Sequence, residues 1–84
     1  MSAQTEADKF GGFVRRVVRA YGRRVADMDI EALAGLAELQ RDLEAVQVAA
    51  IAGLLASGYS WADIGRQLGM TRQGAQQWYA RRSA

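Results

Sequence analysis

Apolar residues recur at intervals of three and four from Phe10 onward, and no proline interrupts them anywhere in the chain. That spacing dictates helices, because it returns apolar side chains to one face at the helical period. Phe10, Phe13, Val14, Val17, Val18, Tyr21 and Val25 share one arc, which predicts an amphipathic helix over residues 5–25. Thr5 and Asp8 are placed as a capping pair, and the preceding residues 1–4 have no apolar anchor and are expected to fray. Gly11, Gly12 and Gly22 weaken this helix by up to about 1 kcal/mol each relative to alanine. Arg15, Arg16, Arg19 and Arg23 occupy the face opposite the arc.

A second segment opens at Asp27 or Asp29, either able to cap a helix, and its periodicity continues to Ala56. A continuous helix over 29–56 would be about 42 Å long, more than so small a core can cover. Leu36, Leu39, Leu43 and Val46 alternate spacings of three and four as in a short coiled coil, so they are expected to form a homodimer interface. The alternative is a break near Gly35 and a monomer of shorter helices.

Composition narrows the function. The chain of 84 residues has no cysteine and no histidine, which removes disulfides, thiolate or imidazole metal sites and nucleophile–histidine catalysis. An enzyme is therefore not expected, and no catalytic residue, metal or cofactor is called for. No apolar run approaches a membrane span and no signal pattern opens the chain, so the expected location is the cytoplasm, in association with the nucleoid. The net charge of +2 conceals a division by segment: +4 over residues 1–25, −5 over 26–56 and +3 over 57–84. Basic ends suggest a surface for a polyanion; an acidic middle can face away from it or toward a protein partner.

The C-terminal third is the most specific. Gly58 fits the left-handed position that ends a helix, and Ser60 with Asp63 forms a capping box. Trp61, Ile64 and Leu68 share a face of a helix of about eight residues that stops at Gly69, and Thr71 caps a last helix reaching about Arg82. Two short helices that cross tightly need a small residue in the first, supplied by Gly65. They also need a turn tolerant of positive φ at Gly69, and a small then a large apolar residue in the second, supplied by Ala75 and Trp78. Met70 and Leu68 are expected to flank the turn on its core side, and Trp61 to serve the core. This register describes a helix-turn-helix over residues 60–82. The expected fold is thus all-α: one domain over 1–84, with a long central helix and a C-terminal helix-turn-helix.

The stretch from Gly53 to Arg82 resembles the helix-turn-helix of phage repressors of the λ type and of sigma factor region four. It is most similar to small actinobacterial and actinophage proteins ending in a segment like GYSWADIGRQLGMTRQGAQQWYARR. The arginine-rich first helix matches no such pattern. The resemblance implies a regulator that binds double-stranded DNA with the start of its last helix. Carried over by position, it nominates Arg72, Gln73, Gln76 and Gln77 to contact bases. The chemistry agrees, since glutamine pairs with adenine and arginine with guanine in the major groove. Ser60, Arg66, Thr71, Arg81 and Arg82 are the candidate phosphate contacts, together with Arg15, Arg16 and Arg19 of the first helix. Arg82 has the alternative of packing over an aromatic ring, and Gly74 of permitting a close approach to the backbone or to a neighbour. Two other functions fit the same charges: a module that docks on RNA polymerase or another regulator, and a basic helical protein of the nucleoid or membrane surface.

Overall fold

The computed structural model describes residues 3–84; of the residues expected to fray, Met1 and Ser2 lie outside the described residues and Ala3 and Gln4 belong to the first helix. The described residues form α1 (Ala3–Ala26), a single 3-10 turn (Ile30–Ala32), α2 (Leu33–Ala56), α3 (Trp61–Leu68) and α4 (Arg72–Ser83), with no strand among them. The all-α expectation is met. Among the described residues, no helix is long and apolar enough to cross a membrane. The chain divides into two compact units, Met1–Glu38 and Leu39–Ala84.

In the first unit, α1 starts at Ala3, so Thr5 lies inside the helix instead of capping it. The helix ends through a left-handed Met28, with φ of 68°, where the Asp29 amide donates to the Val25 carbonyl at 3.1 Å. A side chain in that conformation costs roughly 1–2 kcal/mol, and nothing in the spacing of apolar residues announces it. Asp29 is the cap of the next element, its carboxylate accepting from the Ala32 amide at 3.3 Å. What it caps, however, is the 3-10 turn, and the α-helical segment begins only at Leu33.

Gly35 does not break α2. Its role is spatial: a Cβ there would collide with the Tyr21 hydroxyl, so the glycine makes room for the phenol of α1. No described residue of this unit is buried.

The second unit contains the core. Ile51 of α2, Ile64 of α3 and Ala75 of α4 are buried, with Leu55, Trp61, Leu68, Trp78 and Tyr79 packed around them. The Trp61 and Tyr79 rings meet at 5.4 Å, tilted by 60°. That geometry is favourable for aromatic pairs, and it gives Trp61 the expected core role. Two glycine-ended turns connect the three helices. At the end of α2, the Gly58 amide donates to Leu55 and the Tyr59 amide to Leu54, at 3.0 and 3.1 Å, with Gly58 left-handed. At the end of α3, Gly69 donates to Arg66 and Met70 to Gly65, at 3.4 and 2.8 Å, with Gly69 left-handed. Both are the paired pattern that satisfies the last carbonyls of a helix and reverses the chain. Met70 departs from expectation: Leu68 packs on the core, but the Met70 side chain is exposed. The reversal at Gly69 spends Met70 on backbone bonding and turns its side chain outward.

Candidate nucleic-acid interface

The interface is set by how closely α3 and α4 approach. A Cβ on the buried Gly65 would stand 2.8 Å from the Met70 carbonyl oxygen and 3.1 Å from that of Thr71. Only a glycine allows the turn to pass over α3 at that height. Ala75 follows in α4 with no exposure at all, and Trp78 and Tyr79 complete the buried side. These contacts fix the rotation of α4 and therefore which residues face outward.

Arg72, Gln73, Gln76, Gln77, Ala80 and Arg81 are all exposed. With Ala75, Trp78 and Tyr79 directed inward, the helical period places Gln73, Gln77 and Ala80 farthest from the core, with Gln76 and Arg81 on the flanks. Among the described residues, the side chains of Arg72, Gln73, Gln76, Gln77 and Arg81 take part in no hydrogen bond or ion pair. Their donors and acceptors are uncommitted.

The caps are built as the sequence indicates. The Ser60 hydroxyl accepts from the Asp63 amide at 3.1 Å while the Asp63 carboxylate accepts from the Ser60 amide at 2.9 Å. Thr71 accepts from the Gly74 amide at 2.9 Å. The Thr71 hydroxyl donates to no group among the described residues, and the amides at the start of α4 make that end electropositive. Gly74 is also explained here, since a Cβ on it would sit 3.1 Å from the Thr71 hydroxyl oxygen. The close approach is to its own cap.

The remaining arginines differ in availability. Arg66 pairs with Asp63 one turn earlier, on an exposed face. Arg82 is committed within the unit. Its Nε donates to Glu44 at 2.7 Å, its guanidinium lies 4.4 Å from the centre of the Trp78 ring, and it donates to the Trp78 carbonyl at 3.3 Å. The alternative of packing over an aromatic ring is the one that Trp78 provides, and the ion pair with Glu44 ties α4 to α2. Glu44 is the partner the sequence did not reveal, because 38 residues separate the pair. Arg15, Arg16 and Arg19 are exposed on α1, in the other compact unit.

Asp63 carries the one electrostatic perturbation of the site. The hydrogen bonds from the Ser60 amide and hydroxyl, with a smaller contribution from Arg66, hold its carboxyl below the ordinary carboxylate range. A carboxyl whose pKa is lowered by folding stabilises the folded state above its unfolded pKa, and that contribution is lost as pH falls through the folded value. Asp63→Asn is therefore expected to lower the melting temperature at neutral pH, with the gap to wild type narrowing once the pH drops below the ordinary carboxylate range. Thermal unfolding of both proteins across that range checks this; a gap independent of pH would remove the charge from the account.

Beside the interface, an apolar groove of about 420 Å³ lies between α2 and α3. Ala50, Ile51, Leu54, Tyr59, Ile64 and Leu68 line it. Among the described residues, no group of acidic side chains is arranged to hold a metal ion. Comparison of the chain with protein-family models, with curated proteins and with solved structures finds no match.

Proposed function

We propose that the chain binds double-stranded DNA and reads base edges in the major groove with α4. The observation that carries this reading is the pairing of a glycine-tight helix crossing with a free polar face. Gly65 lets the turn close on α3, and the resulting rotation leaves Arg72, Gln73, Gln76 and Gln77 exposed and unbonded. Helices in such a pair insert their N-terminal residues into the groove while the caps and the preceding helix meet phosphates. In this reading Thr71, Ser60, Arg66 and Arg81 take the second task, and α4 has no acidic residue to oppose a groove walled by phosphates.

The binding form in this reading is a homodimer through α2. Leu36 and Leu39 are half-buried, but Leu43 and Val46 are 46% and 62% exposed, with Leu54 continuing the apolar stripe toward the groove. A two-fold partner along this stripe would present two copies of α4 to sites about 34–36 Å apart, one turn of the duplex. Transcriptional control is the role that such a dimer serves.

Gln73→Ala and Gln77→Ala are expected to weaken binding to a selected cognate site by about 1–3 kcal/mol each and to leave random duplex nearly unaffected. Arg81→Ala should weaken both and reduce the salt dependence. Fragment selection from source genomic DNA followed by titration supplies the measurement. Equal losses from the glutamine variants on both duplexes would overturn base reading. A protein captured through α2 with no DNA affinity at all would select the rival reading, a module that docks on polymerase or another regulator.

A further inference from the structure

The first helix has a face that the DNA reading does not use. Phe10, Phe13, Val14 and Val17 of α1 are 69%, 52%, 36% and 50% exposed, and the two phenylalanine rings stack on each other at 6.4 Å. Val18, Tyr21 and Val25 extend the same arc and are half-buried, Tyr21 toward Gly35, so the uncovered portion is the N-terminal half. Opposite the arc lie Arg15, Arg16, Arg19 and Arg23, all exposed. On the helical projection, Lys9 and Arg16 stand toward the Phe13 edge of the arc and Arg15 toward the Val18 edge, while Glu6 and Arg24 fall within the arc, one near each end of the helix. Cations therefore border an exposed aromatic stripe as well as backing it.

We propose that α1 lies on an anionic lipid bilayer, with Phe10, Phe13, Val14 and Val17 at the acyl boundary and Lys9, Arg15 and Arg16 among the headgroup phosphates. A strongly two-faced helix, rich in arginine on its polar side and carrying phenylalanine on the other, is the form that rests in the membrane interface without crossing it. Charge decides among the occupants. The segment 1–25 carries a net charge of +4, so a second copy seated on the same face would bring like charge against like. Duplex DNA would satisfy the arginines but offers a pair of stacked phenylalanines no apolar layer to enter. An anionic bilayer satisfies both faces of the helix at once. The surface is in the Met1–Glu38 unit and does not rest on the reading of α4.

The test uses the full chain and two vesicle preparations, phosphatidylcholine alone and phosphatidylcholine with about one third phosphatidylglycerol, in a sedimentation assay without DNA. The wild-type chain is expected to sediment with the anionic vesicles and at least about tenfold more weakly with the neutral ones. The Phe10→Ala/Phe13→Ala protein should lose roughly tenfold to a hundredfold in partitioning to anionic vesicles. Alanine favours helix, so circular dichroism should show its helical content retained, and its binding to duplex should match wild type. Arg15→Gln/Arg16→Gln should weaken anionic binding alone, by about fivefold per charge. Failure of the wild type to sediment with anionic vesicles would overturn the proposal. So would a phenylalanine variant that binds them like wild type, which would leave only non-specific attraction by the arginines. A concentration-dependent oligomer abolished by Phe10→Ala/Phe13→Ala, with no vesicle binding, would give the face to a second copy instead.

Discussion

Replacing Gly65 by alanine is expected to lower the stability of the protein by about 2 kcal/mol, even though alanine is the better helix former by nearly 1 kcal/mol. The added methyl meets the Met70 and Thr71 carbonyl oxygens at 2.8 and 3.1 Å, and these are backbone atoms of the turn, not the movable end of a side chain. Relief requires the turn to lift, which breaks the hydrogen bond of 2.8 Å from the Met70 amide to the Gly65 carbonyl or draws Ala75 out of the core. In a domain this small, the loss corresponds to a fall in melting temperature of roughly 10–15 °C. Gly53→Ala is the control, because nothing lies within 4 Å of a Cβ there. It should raise stability slightly, giving the two alanine substitutions opposite signs. Thermal denaturation measures both, and a Gly65→Ala protein as stable as wild type would show that the crossing is looser than described. If α4 reads DNA as proposed, the variant should also bind it less well than its residual stability explains, since α4 is positioned through this contact.

The second large effect is expected at Ile64. Truncation to alanine removes one of the three buried apolar residues, in a unit where Ile51, Ile64 and Ala75 are mutually packed. Core truncations of this kind cost about 2–5 kcal/mol, through lost transfer energy and the cavity left behind. A domain of this size rarely has more than about 3–5 kcal/mol in total, so Ile64→Ala is expected to be largely unfolded at 37 °C. The contrast is Phe10, a larger residue, whose truncation should change stability little because its ring is exposed. Chemical denaturation of the two variants gives the comparison directly. If Phe10→Ala were the more damaging of the two, the core would have to be sought in the first unit.

The helix-turn-helix is legible in the sequence because its determinants lie within a few residues of one another. Ser60 and Asp63 cap across three residues, Gly69 ends α3 by adopting positive φ, and Gly65 and Ala75 are small where the helices cross. Each of these is a short-range steric or hydrogen-bonding requirement that names a residue type at a fixed offset. The outward glutamines follow from the same register, once Ala75 and Trp78 define the inner side. The junction between α1 and α2 was much less legible. Asp29 was a candidate cap, but a left-handed methionine at 28 leaves no signature in composition, and the 3-10 turn that follows uses residues equally suited to an α-helix.

Sequence by itself determined that the chain is helical, that Ser60 and Thr71 cap the last two helices and Gly58 and Gly69 end the helices before them, and which face of each helix is apolar. Only the tertiary structure decided which of those apolar faces is covered. Periodicity records that Phe10 and Ile64 both belong to apolar stripes, but burial depends on what another segment brings against the stripe. The same holds for Gly35, which reads as a helix breaker until Tyr21 is seen to need its space, and for Arg82, whose pairing with Glu44 no spacing announces. These partners are distant along the chain. No local rule couples them, and folding alone brings them together.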